Sequence, residues 1–184
     1  MKGIVFNLLE EVVTREYSAD TWDDLLEAAG VNGSYTSLGS YADEDLSKLV
    51  MAASSALQQS PEDVIRWFGR SAVPLLAEKY PAFFAPHASA RSFILTLNEI
   101  IHPEVRKIYP GADVPEFDFE VAGNALLLGY ASKRRLCSFA QGLIEGTAEH
   151  YDEHVELEHL NCMVRGDDKC LIRVDFRTNG AHSN

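Results

Sequence analysis

Near residue 111 the apolar side chains stop recurring at steps of three and four and begin to alternate. A chain with that switch is neither all-helical nor all-strand, because a helix and a half-buried strand need different periods. Upstream, Ile4, Val5, Leu8, Leu9, Val12 and Val13 outline an amphipathic helix at the N-terminus. TWDDLLEAAG predicts a helix capped by Thr21, with Asp24 three residues on and Gly30 as its stop; SYADEDLSKLVMAASSAL predicts another from Ser40 with Asp43. In SPEDVIRWFG, Ser60 caps, Pro61 suits the first helical position and Asp63 meets the positive end of the dipole. That helix runs to Pro74 or kinks there. From Ser89, the stripe Ile94, Leu97, Ile101, Val105 and Ile108 predicts one long helix ending before Pro110 and Gly111.

Downstream, FDFEVAG and NALLLGY read as strands around a turn at Gly123 and Asn124. RRLCSFAQGLIEGTAEHY returns to helical spacing, and HVELEHL and KCLIRVDFR read as strands joined by a turn at Gly166 and Asp167. The expected class is α+β: a helical N-terminal part, then a C-terminal lobe with a four-stranded antiparallel sheet and one long helix. With 184 residues and 46% apolar content, the chain fills a single domain, 1–184. A net charge of −12 repels phosphate backbones and anionic lipid, which argues against nucleic acid and membrane partners. No apolar run approaches the roughly 18 residues of a membrane span, and no signal peptide is read, so a cytoplasmic location is expected. No G-x-S-x-G, phosphate loop or His-Glu-x-x-His pattern occurs, so an enzyme is not expected.

Two places carry unusual chemistry. His102 lies at the edge of the apolar stripe just before Pro103, whose ring removes a helical hydrogen bond. It reads either as a boundary histidine bonded to a neighbour or as an imidazole offered to haem iron. In YASKRRLC, Tyr130, Ser132 and Arg134 are spaced by two. If the preceding strand extends through them, two hydroxyls and a guanidinium share one side, a set suited to carboxylates. The other reading is a strand end whose polar groups meet solvent.

Taken together, MKGI at the start, His102 on a long helix, Y-x-S-x-R at 130–134 and GLIEG at 142–146 resemble the H-NOX family. These are the haem nitric oxide/oxygen-binding domains related to the haem domain of soluble guanylate cyclase, and the resemblance covers essentially the whole chain. It implies a haem b buried between an N-terminal helical lobe (1–60) and a haem-binding and C-terminal lobe (61–184). His102 would be the axial iron ligand, Tyr130, Ser132 and Arg134 would grip the propionates, and Pro115 would press on the porphyrin. Pro103 departs from the family's usual non-proline residue. The resemblance places Phe139 where oxygen-binding members carry a tyrosine, and Val5, Leu9, Leu76 and Leu143 as further distal contacts, all apolar. Such a lining implies a sensor of NO that also takes CO and does not hold O2. The resemblance implies signalling to a separate protein, a histidine kinase or a cyclic-di-GMP enzyme (diguanylate cyclase or phosphodiesterase), when the His102 tether is released.

Cys137, Cys162 and Cys170 with His159 make a Cys3His set. An odd count in a chain this long does not suggest a disulfide scaffold; the set reads either as a tetrahedral zinc site or as idle thiols. A subset of H-NOX proteins resembles this sequence in carrying zinc there, with thiol oxidation as a second, redox input. His87, His150, His154 and His182 read as surface residues. The competing function is a haem-free small-molecule-binding or interaction module with a zinc-stabilised lobe.

Overall fold

Ser60 sets the start of the longest helix: its hydroxyl accepts from the Asp63 amide at 3.1 Å, and Pro61 occupies the first turn. The computed structural model describes residues 1–178, so His182 lies outside the described residues. The helices are α1 (Gly3–Glu16), α2 (Ala19–Ala29), α3 (Asp43–Leu57), α4 (Pro61–Lys79), α5 (Pro81–Phe84), α6 (Ala90–Ile94), α7 (His102–Ile108) and α8 (Cys137–His150). The strands are β1 (Glu116–Ala122), β2 (Ala125–Ala131), β3 (Glu153–Asn161) and β4 (Cys170–Thr178), an antiparallel sheet in the order β1-β2-β4-β3. The mixed class and the four-stranded antiparallel sheet are as expected from the sequence.

Local signals misplace two caps. Helix α2 is capped by Ser18, whose hydroxyl accepts from the Thr21 amide at 3.0 Å, so Thr21 is the capped residue and not the cap. Helix α3 begins at Asp43 without a side-chain cap, because Ser40 is drawn into a backbone bridge with Lys2. Gly30 ends α2 in the left-handed conformation, as the sequence predicts.

The expected long helix after Ser89 is broken. Between α6 and α7 lies a π turn, Leu97–Ile101, in which Ile101 and His102 donate to carbonyls five residues back, those of Thr96 and Leu97. Pro103 has no N–H for the carbonyl of Glu99 and its ring crowds that carbonyl, so the backbone widens here. His102 therefore opens α7, immediately after the widened turn.

Helix α4 passes through Pro74 to Lys79. The proline leaves the carbonyl of Arg70 without its helical donor, and Gly146 of α8 lies against that carbonyl: a Cβ there would come within 2.5 Å. A Cβ on Gly142 would fall 1.9 Å from the Arg66 carbonyl, and one on Gly69 2.4 Å from that of Phe139. So α4 and α8 pack backbone to backbone, flanked by the ion pairs Arg66–Glu145 and Arg70–Glu149. Two buried clusters form around this pair. One holds Phe6, Trp22, Leu49 and Phe68; the other joins Ile94, Leu126, Leu128, Ile144 and Ile172 of the α6, sheet and α8 layers.

Candidate functional site

An apolar cavity of about 330 Å³ lies between the two clusters, with α1, α4 and α8 on one side and the π turn, α7, β1 and β2 on the other. His102 enters it from the first turn of α7, half-buried, with its ring stacked on Phe117 at a centroid distance of 5.6 Å. Burial, and then the charge of Arg106 one turn on, push its pKa down to about 4; among the described residues no hydrogen bond offsets either effect. At neutral pH the ring is an uncharged imidazole with a lone pair to offer.

Tyr130, Ser132 and Arg134 all line the same cavity, but not as one strand face. Strand β2 ends at Ala131, where its ladder partner β4 has run out, and Ser132–Arg135 form a turn closed by the Arg135 amide on the Ser132 carbonyl at 3.1 Å. The condition attached to the sequence reading, a strand continuing through Arg134, is thus not met; the turn converges the three groups instead. Arg134 donates Nε to Asp43 Oδ2 at 2.8 Å and Nη1 to the carbonyl and carboxylate of Asp113 at 2.8 and 3.0 Å. Asp43 also accepts from the amino group of Met1 at 2.6 Å. Partial burial would raise the Asp43 carboxyl, but the amino group and Arg134 outweigh it and hold the pKa below its ordinary value. Burial raises the pKa of Tyr130, whose hydroxyl is turned toward Ser132.

Pro115, Val5, Leu76, Phe139 and Leu143 line the cavity. Leu9 does not. It packs in the cluster around Phe6, and Leu8, one turn on from Val5 and Ile4, takes the cavity position, because the helix rotates about 100° per residue. The sequence reading missed three hydroxyls in the lining, those of Thr147, Tyr80 and Tyr109. Thr147 is spent on the Leu143 carbonyl of its own helix at 2.7 Å, and Tyr80 and Tyr109 bond each other. Only the last pair links the end of α4 to the end of the His102 helix, a contact that no local pattern announces.

A family model described as Haem-NO-binding matches residues 2–159. The chain belongs to the haem-NO-binding family. The cavity suits that cofactor class: a neutral imidazole, an apolar interior and a guanidinium in the lining answer iron, porphyrin and carboxylates in turn. Solved H-NOX structures agree with the fold. One from Shewanella oneidensis in the Fe(II)NO ligation state is 30% identical, covering 97% of this chain and all of that one, with a TM-score of 0.90. The Fe(II)CO form of an H-NOX domain from the same organism is 31% identical over 98% of this chain and all of that one, with a TM-score of 0.87. Unliganded Fe(II) H-NOX from K. algicida is 26% identical over the full length of both chains, with a TM-score of 0.84.

A second constellation stands apart from the cavity in this haem-NO-binding fold. Ligand atoms of Cys137, His159, Cys162 and Cys170 all lie within 4.8 Å of one another. They come from the start of α8 (Cys137), the end of β3 (His159), the residue just past β3 (Cys162) and the start of β4 (Cys170), and the three thiols are buried. The sulfurs of Cys137 and Cys162 are 3.7 Å apart. Burial and the neighbouring sulfurs push Cys137 up to about 12 and raise Cys170. At Cys162 burial acts upward too, but the backbone amides of Val164 and Arg165 help bring the pKa down. Burial first, then the charges of Arg165 and Arg66, lower the pKa of His159 and favour its uncharged form. Three sulfurs and one uncharged imidazole are the donor set of a tetrahedral zinc site. Among the other histidines, His150 and His154 are exposed; His87 is half-buried, not a surface residue, because it rests against Phe93 and Ser92.

Among the described residues no helix is long and apolar enough to cross a membrane.

Proposed function

We propose that this chain is a haem-based NO sensor that also takes CO, does not hold O2 stably, and acts on a separate signalling protein. One observation carries the reading: an uncharged imidazole, His102, enters an apolar cavity that Arg134 also lines. His102 would hold the iron of haem b, and Tyr130, Ser132 and Arg134 would receive the propionates, Arg134 exchanging a present carboxylate partner for a new one. Pro115 would press on the macrocycle. When bound, haem supplies the iron position that takes a diatomic gas. The protein decides which gas. Bound O2 needs a hydrogen-bond donor, and Val5, Leu76, Phe139 and Leu143 have none, while the Thr147 hydroxyl is already committed. The NO and CO forms of the Shewanella oneidensis relatives support this ligand class.

Output requires that a partner distinguish two states. A shift of α7 would carry Tyr109, and through it Tyr80 and α4, against the helices of residues 1–60. The partner class, a histidine kinase or a diguanylate cyclase or phosphodiesterase, follows from the family resemblance. Zinc on Cys137, His159, Cys162 and Cys170 would fasten the propionate-side turn to the β3–β4 connection, with thiol oxidation as a second input. About one zinc per reduced chain is expected; metal-free protein with intact thiols overturns that part. The main reading is tested by absorption of the ferrous protein with and without NO. A Soret band that moves with NO and stays in place in air is expected. Absence of the band after haem loading overturns it and favours the haem-free binding module.

A further inference from the structure

Gln141 stands between the thiol cluster and helix α4, and the chemistry of its neighbours fixes the direction of each hydrogen bond it makes. Arg66 of α4 donates Nε to both oxygens of Glu145, at 3.0 and 2.9 Å. A carboxylate gripped by a guanidinium accepts and does not donate. Gln141 lies one turn before Glu145 on the same face of α8, and its Nε2 is 3.2 Å from Glu145 Oε1. Its amide must therefore turn the NH2 toward Glu145 and the carbonyl the other way. That carbonyl oxygen is 3.1 Å from Nε2 of His159. A carbonyl only accepts, so Nε2 carries the proton and Nδ1 keeps the lone pair.

We propose that Arg66, Glu145 and Gln141 form an outer support that holds His159 as its Nε2–H tautomer and presents Nδ1 to the metal bound by the three cysteines. The order of groups is guanidinium, carboxylate, amide, imidazole: Arg66 and Gln141 both donate to Glu145, and His159 donates to Gln141. It starts on α4, where the Arg66 carbonyl is also the point of closest approach to Gly142. The metal site is thereby tied to a helix that lines the haem cavity with Val73 and Leu76. Metal-bound histidines are ordinarily oriented by such a partner on the second nitrogen, and its loss costs about 10–100-fold in metal affinity. Gln141 is a positioning residue here, acting through His159.

The metal step rests on the zinc reading; the tautomer does not, and the two can fail separately. Long-range proton–nitrogen correlation spectra of the reduced full-length protein, recorded metal-free and after adding zinc, test both. A proton on His159 Nε2 in both samples, with the zinc-dependent shift on Nδ1, is expected. A proton on Nδ1, or zinc on Nε2, overturns the support. If zinc does not bind, the zinc reading falls, and the metal-free spectrum alone decides the tautomer. Gln141→Leu keeps the volume and removes the acceptor; chelator competition on the zinc protein should give a loss of about 10–100-fold in zinc affinity. Should that variant not fold, Glu145→Gln replaces it, since an amide at 145 lets Gln141 turn over and frees the tautomer, again with loss of affinity. Unchanged affinity in a folded variant overturns the proposal.

Discussion

His102 stays uncharged at neutral pH because burial removes water from the ring and the charge of Arg106 opposes a second positive charge. A ring so placed is worth more as a ligand than as a packing element. His102→Ala should yield folded protein that loses haem on a desalting column and regains a Soret band with free imidazole; full haem retention would dispose of the ligand assignment. Phe139 packs face to face on Phe68 at 5.0 Å, so a hydroxyl added at its rim stays near the cavity wall it already occupies. Phe139→Tyr should raise O2 affinity by about tenfold, the worth of one new hydrogen bond; gas titration of the ferrous variant checks this. His102, Tyr130, Ser132 and Arg134, which all line the cavity, stand out in the sequence as chemically pointed residues, although their spacing left two readings open and the family resemblance chose between them. Leu8, Tyr80, Tyr109 and Gln141 do not stand out, since an apolar or neutral side chain gains its role only from what the fold sets opposite it.

Gly142 shows how an element-level constraint hides in a single letter. The segment GLIEG marks a helix in the sequence, yet its two glycines exist for the backbone of a different helix. A methyl at Gly142 would fall on the carbonyl of Arg66, and backbone cannot move aside as a flexible side chain can. Gly142→Ala should cost about 3 kcal/mol, at the upper end of overpacking penalties, read as a lower urea midpoint at an unchanged slope. A stability equal to that of the parent would mean that α4 and α8 do not touch as described. The α6–α7 region makes the opposite point. Its apolar spacing is continuous from Ile94 to Ile108 and predicts one helix. The break lies in the hydrogen-bond ladder, which side-chain spacing does not report, although Pro103 marks where the ladder has to change.

Across the whole molecule, Asp43 joins parts that are far apart in sequence: the amino group of Met1, helix α3 and the turn that carries Arg134. Its carboxyl pKa is lower in the folded chain than in the unfolded one. Its contribution is therefore present above the unfolded carboxylate range and is lost as pH falls through the folded value. Asp43→Asn should narrow the urea-midpoint difference from the parent below about pH 4 and leave it constant from about pH 5 to 8. A difference that grows on acidification would contradict the sign. Because Asp43 is partly exposed, the effect should also shrink with added salt.

The sequence by itself determined the four strands and most of the helices, the helix start at Ser60, whose side chain bonds its own turn, the stop at Gly30, which alone takes the left-handed backbone without strain, and the kinds of donor available. These are set by spacing and by contacts within a turn. Only the tertiary structure decided that Leu8 and not Leu9 faces the cavity, that Arg134 is held by Asp43 and Asp113, that Tyr80 meets Tyr109, and that one imidazole and three sulfurs converge. Each of those depends on how rigid elements pack against one another, where a rotation of one residue or a missing Cβ redirects a side chain without altering the local pattern.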